Sequence, residues 1–282
     1  MDDTTPPASA TALQDLIDVG ANLTHESFAP DLHEVLERAA RAGVSQLVVT
    51  GSSVAESAAA LALARTRPGR LFATAGVHPH LARAWSAATA AAIRELCTHA
   101  QVVAVGEAGL DFNRDFSPRP DQERAFHAQL EMAAHLGKPV FMHERDAFDR
   151  FLAIVREHRS ELGAAVVHCF TGDQRACDAY LELDLHIGIT GWICDERRGH
   201  HLREVVRRIP AGRLMLETDA PYLLPRDLRP RPRTRRNEPM HLAHILAVVA
   251  ACTGMPAHAL AAATTRTARH FFALPQADAV LR

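Results

Sequence analysis

The chain has 282 residues, 48% of them hydrophobic, which suits one large domain with a full core; a barrel of roughly 250 residues accounts for almost all of it. A formal net charge of -2 and an isoelectric point near 6.8 exclude a surface coated with cations for gripping duplex nucleic acid, so any such contact has to be local. The acidic opening Met1-Asp2-Asp3 is no secretory signal and no run is long enough to span a bilayer; the five cysteines contain no CxxC pair, which points to reduced thiols in a cytoplasmic protein without a cysteine metal cluster.

Residues 1–15 read as a loose leader. From residue 16, strand-like and helical runs alternate. LIDV (16–19) is followed by a helical stretch over 31–41 stopped by Gly43. QLVVT (46–50) leads into helical spacing over 53–65 ahead of Pro68, and LFATAGV (71–77) and VVAVG (102–106) come next. A helix over 121–136, stopped by Gly137, precedes PVFM (139–142), AAVVH (164–168), LHIGIT (185–190) and LMLET (214–218). Eight short apolar runs separated by helices predict a parallel sheet with crossover helices, and eight units favour closure into a single-domain (β/α)8 TIM barrel over 16–273, with a tail over 274–282. No GxGxxG follows the first strand and no GxxxxGK[ST] occurs, which removes the main sequence support for a nucleotide-cofactor fold.

Four of these runs end in a group able to bind a metal: Glu107 after VVAVG, His143 after PVFM, His168 after AAVV, and Asp219 within LMLETDAP. Each has an ordinary reading alone: a loop acid, two hydrogen-bonded core histidines, a helix N-cap. Parallel βα folds gather the carboxyl ends of their strands, so together the four predict a metal site at the barrel mouth. Imidazole nitrogen and carboxylate oxygen form a donor set for Zn, Mn or Mg. Gly106 and Gly109 flank Glu107 and would let the backbone approach a ligand.

In GVHPH, His78 is the better placed imidazole, and His80 reads as a surface residue. Lys138 is the only lysine and lies before its strand, so a carboxylated-lysine bridge is not available and Glu107 is the one bridging candidate. The arginine- and proline-rich segment 225–239 is either a stiff solvated loop or a phosphate-capturing one, with Arg235 and Arg236 as its candidate substrate contacts and Asn237 as a cap for the next helix. Trp192 is either a lid packed on the barrel or a platform for a base.

The stretches GVHPH (76–80), VGEAGLDF (105–112), PVFMHERD (139–146), HCFTG (168–172), GITGWICDERRG (188–199), ETDAPYLLPRDL (217–228) and RRNEP (235–239) resemble the TatD family of metal-dependent deoxyribonucleases from residue 16 to about 272. The resemblance implies a (β/α)8 barrel that hydrolyses phosphodiester bonds with a divalent metal, Mg2+ before Mn2+ or Zn2+, held by Glu107, His143, His168 and Asp219. It further implies a 3'-5' exonuclease on single-stranded DNA or RNA, in DNA repair or turnover; a monomer with no membrane partner is expected. On this reading Asp219 takes a proton from the attacking water, Glu107 and His78 complete the catalytic set, and Asn22, Arg145, Trp192, Arg235 and Arg236 hold the substrate.

Two features depart from the family pattern. Where members carry Asp-x-His-x-His on the first strand, this chain has Asp18-Val19-Gly20-Ala21-Asn22, so both imidazoles are missing and a second ion should be held weakly. Restoring them at Gly20 and Asn22 is expected to raise metal stoichiometry if the side chains fit. Glu144 stands where members have cysteine; alternation along a strand turns it away from His143. Two rivals follow from the same barrel: an amidohydrolase or deacylase acting on a C–N or ester bond, and a non-catalytic nucleic-acid-binding barrel.

Overall fold

The computed structural model describes residues 15–276; residues 1–14 of the expected leader and 277–282 of the tail lie outside the described residues. All eight apolar runs are strands: β1 (Leu16–Ala21), β2 (Val44–Val49), β3 (Leu71–Ala75), β4 (Val102–Asp111), β5 (Val140–Arg145), β6 (Ala165–Val167), β7 (His186–Ile189) and β8 (Leu214–Leu216). Each pairs in parallel with the next in sequence order. The ring draws shut where the Asp219 N–H donates to the Gly20 carbonyl at 2.8 Å and the Asn22 N–H to the Ala220 carbonyl at 2.7 Å.

The helices are α1 (Leu32–Arg41), α2 (Val54–Arg65), α3 (Ala87–Cys97), α4 (Arg119–Leu136), α5 (Phe148–His158), α6 (Gln174–Glu182), α7 (Leu202–Val205), α8 (Leu242–Thr253) and α9 (Ala257–Phe272). Their ends follow local chemistry. Ser53 caps α2 by accepting the Glu56 N–H at 3.1 Å, and Gly137 closes α4 in the left-handed region at φ 63°. Two residues earlier than expected, α4 begins at Arg119, because Pro120 sits in the first turn, where its missing N–H leaves no bond unmade. No single helix among the described residues is long and apolar enough to cross a membrane.

Strand alternation divides the apolar side chains between two cores. One set, including Val19, Val48, Phe72, Phe141, Val166 and Met215, packs with Phe271 and Phe272 of α9, which close the end of the barrel where the strands begin. Burying a side chain such as Phe141 contributes about 1.5–3 kcal/mol. The larger set packs the helices onto the outside of the barrel. A plug of apolar side chains below leaves the carboxyl ends of the strands as the open face.

Candidate active site

Strand β4 continues five residues past VVAVG, to Asp111, and its register against β5 slips between Val105 and Ala108. That slip places Glu107, whose N–H donates to the Gly51 carbonyl at 2.8 Å, at the mouth. The flanking glycines serve β5 and not a ligand, which corrects the expectation from sequence. A Cβ on Gly106 would lie 2.1 Å from the Phe141 carbonyl oxygen, and one on Gly109 1.9 Å from that of His143; both have φ near +140° (139° and 147°).

Three imidazoles converge on one oxygen of Glu107. His168 Nε2 lies 2.7 Å from Oε1, His143 Nδ1 3.0 Å and His78 Nε2 3.4 Å. Burial opposes a charge on Glu107, yet the imidazoles around it, with hydrogen bonds from His143 and His168, outweigh it and hold the carboxyl well below the usual range. Burial also opposes a charge on His168, and Glu107 with Glu217 overrules it, keeping that imidazole well above its ordinary value. The cluster therefore draws positive charge to a point enclosed by nitrogen and oxygen donors. His78, Glu107 and His143 each bring a donor atom within 4.8 Å of the other two. This donor set fits a divalent cation.

The histidines are not equivalent. His78 Nδ1 accepts the His80 N–H at 3.1 Å, which leaves the proton of the neutral ring on Nε2; burial keeps it neutral by pushing its pKa down to about 4. His78 is thus a hydrogen-bond donor to the centre. His168 has a different arrangement: Glu217 Oε2 faces its Nδ1 at 3.4 Å and Glu107 Oε1 its Nε2 at 2.7 Å, so a carboxylate stands at each ring nitrogen and fixes the ring's orientation.

Glu217 was not singled out from sequence; it stands directly after β8, two residues before Asp219. It is fully buried, and its other oxygen accepts the Cys169 N–H. Glycines make its space: a Cβ on Gly20 would lie 2.5 Å from Glu217 Oε2, and one on Gly188 2.5 Å from Oε1. A histidine at 20 would therefore have to displace the Glu217 carboxylate that faces His168. At 22, Asn22 Nδ2 donates to Asp219 Oδ1 at 2.9 Å; burial pushes Asp219 up to about 7, against the pull of His168.

His80 is a further correction. It is not a free surface imidazole, because its Nε2 lies 2.7 Å from Asp111 Oδ2, which also faces His143 Nε2 at 3.5 Å. Glu144 does point away from the centre, accepting from the Ala147 N–H at 2.8 Å and the Tyr180 hydroxyl at 3.1 Å.

A cavity of about 740 Å³ opens over the cluster, lined among others by Asn22, His78, Arg145, Trp192 and Asp219. Arg198 stacks on the Trp192 ring at 4.3 Å. Arg235 is exposed and outside this lining. Arg236 is withdrawn from the substrate role expected of it: it bonds to both oxygens of Asp31 at 2.7 Å, to Glu238 at 2.8 Å and to the Ser27 carbonyl at 2.6 Å. Four of its five N–H donors are so engaged, which makes it a clamp between the loop and α1. Asn237 does not cap the next helical turn, whose N-cap is Glu238; its Nδ2 donates to the Thr218 carbonyl at 2.9 Å and ties the loop to β8. Tyr222, 51% exposed and beside His25 at the rim, offers an aromatic face that sequence reading overlooked.

The family described as TatD related DNase matches residues 17–273. Over 260 residues the chain is 54% identical to the 3'-5' ssDNA/RNA exonuclease TatD of Erwinia billingiae (strain Eb661), covering 92% of this chain and 100% of that protein. The protein of the same name from Musicola paradisiaca (strain Ech703) is 52% identical over 261 residues, 93% of this chain and 99% of that one. Among solved structures, a TatD homologue from Escherichia coli K12 matches with a TM-score of 0.84 at 29% identity, over 93% of this chain and 100% of that one. A TatD family hydrolase from Entamoeba histolytica has the same fold, with a TM-score of 0.84 at 24% identity over 92% of this chain and 98% of that one. With the match running along nearly the whole barrel, the chain belongs to the TatD related DNase family.

Proposed function

We propose that this protein is a metal-dependent 3'-5' exonuclease that hydrolyses phosphodiester bonds in single-stranded DNA or RNA. The observation that carries the reading is the convergence of His78, His143 and His168 on Glu107 Oε1 beneath an open cavity. Relatives at 52–54% identity that bear the exonuclease name supply the direction and substrate class.

Glu107, His143, His168 and Asp219 would hold the divalent ion; two imidazoles and two carboxylates form a donor set open to Mg2+, the ion expected from the sequence, and to Mn2+ or Zn2+. When bound, such an ion supplies Lewis acidity toward a phosphoryl oxygen and makes a water acidic enough to attack. The chain's own groups do the rest. Asp219, oriented by the Asn22 amide at 2.9 Å, accepts a proton from the attacking water. His78 presents Nε2–H to a phosphate oxygen as charge develops on it. Glu217 keeps the His168 ring in its donor orientation. Arg145 on the rim holds the backbone, Trp192 stacks a base, and Arg235 with Arg233 adds charge along the strand's approach. Large exposed apolar side chains among the described residues are few, Leu81, Phe116 and Tyr222, which supports a monomer; the absence of a CxxC pair supports the cytoplasm, with nucleic-acid repair or turnover as the setting.

The test is end-labelled single-stranded DNA offered to metal-stripped protein, with Mg2+, Mn2+ and Zn2+ restored separately. Turnover should vanish on stripping and return with metal. Alanine at Glu107, His143 or His168 should lower it by more than about 100-fold with the melting transition retained. Full turnover after thorough chelation would refute the mechanism. Cleavage of an acyl ester but not of DNA would reassign the barrel to the deacylases.

A further inference from the structure

A second constellation lies outside the mouth cluster. Cys194 ends the short 3-10 turn Gly191–Cys194 that follows β7, Asp227 lies in the arginine-rich loop, and His244 stands in the first turn of α8. Their donor atoms all lie within 4.8 Å of one another, and His244 Nε2 is 2.7 Å from Asp227 Oδ1. The Cys194 side chain is buried, while the side chains of Asp227 and His244 keep 22% and 29% of their surface in solvent. An ion can therefore enter from outside and keep a water on its open side.

The geometry points to a second, structural metal site, in which Cys194, Asp227 and His244 bind Zn2+ and fasten the arginine-rich loop to α8 and to the turn that carries Trp192. One thiolate, one imidazole and one carboxylate suit Zn2+ far better than Mg2+, which avoids sulfur. The ligands proposed at the mouth include no sulfur, so the two sites should sort different ions. Burial and the neighbouring Asp227 carboxylate hold the Cys194 thiol well above its ordinary value, which excludes it as a nucleophile. Binding an ion displaces that thiol proton to solvent and replaces a thiol and a hydrogen-bonded pair by three metal bonds. The site would steady the loop from below, as the Arg226–Asp195 pair at 3.2 Å does beside it.

Co2+ added to the full-length, metal-stripped protein provides the test, because a cobalt thiolate shows a near-ultraviolet charge-transfer band that nitrogen and oxygen ligands do not give. The band should appear in the unmodified protein and in His143→Ala, and vanish in Cys194→Ser and in His244→Gln. Cys169→Ser, which removes the thiol at the mouth, should keep it. Zn2+ should also slow tryptic cleavage after Arg226, Arg233 and Arg235 in the unmodified protein but not in His244→Gln. Absence of the band from the unmodified protein would overturn the proposal, as would its survival in Cys194→Ser or its loss in Cys169→Ser alone.

Discussion

Replacing Gly20 by alanine puts one methyl group against the buried Glu217 carboxylate, 2.5 Å from Oε2 and 3.1 Å from Phe141 Cζ, where ordinary contact begins at 3.4 Å. Glu217 has no room to retreat: Gly188 bounds its other oxygen, the Cys169 N–H holds it, and the side chain is fully buried. Forcing extra volume into a packed interior costs about 1–3 kcal/mol. Weakening a hydrogen bond to a charged acceptor adds up to about 1.5–3 kcal/mol. Alanine recovers about 0.4–1 kcal/mol by restricting the unfolded chain. The net expectation is a loss of about 2–3 kcal/mol, read as a lower urea midpoint at unchanged slope. In a Glu217→Ala background the methyl has space, and the same substitution should cost less than about 0.5 kcal/mol, a coupling of at least about 1.5 kcal/mol. Gly20→His begins with the same carbon and should be unstable before it can bind any ion. Gly20→Ala as stable as the parent, or equally costly with and without Glu217, would refute the reasoning.

Further expectations concern the arginine-rich loop. Asp31 is held down to about 2, from 3.8, chiefly by its hydrogen bond to Arg236, so its contribution is complete above about pH 4 and is lost as pH falls through about 2. Discounted for a side chain 31% exposed, that contribution is about 1 kcal/mol. Asp31→Asn should therefore melt earlier than the parent at pH 7, and the gap should close below about pH 4; a constant gap down to pH 2 would exclude the clamp. Reversing the exposed Arg233 and Arg235 to glutamate should weaken single-strand binding more at low salt than at high salt, measured as the slope of affinity against salt concentration. An unchanged slope would make this part of the loop a solvated spacer.

Several features were legible because they depend on a residue's own place in a repeating backbone. The eight strands could be read because a strand buried on both faces needs an unbroken apolar run, and α2 and α4 because Ser53 and Gly137 mark their ends locally. Glu107, His143 and His168 could be grouped before any coordinates because a parallel barrel gathers strand ends whatever their separation in sequence.

What remained hidden was the choice of partner. Arg236 and Arg235 are adjacent and chemically identical, yet one is paired with Asp31 and Glu238 and the other is exposed, a difference set by α1 lying beneath one of them. His80 looks like any rim imidazole until β4 runs on far enough to bring Asp111 to it. Gly106 and Gly109 beside Glu107 suggested room for a ligand, whereas the neighbouring strand fills that room. The sequence by itself determined which residues are strand, which ends face the mouth and what chemistry they carry, because those follow from backbone periodicity and side-chain type. Only the tertiary structure decided which donors are already paired, which way each imidazole points and where one more carbon atom fits, because these depend on distances of a few ångströms between residues tens or hundreds of positions apart.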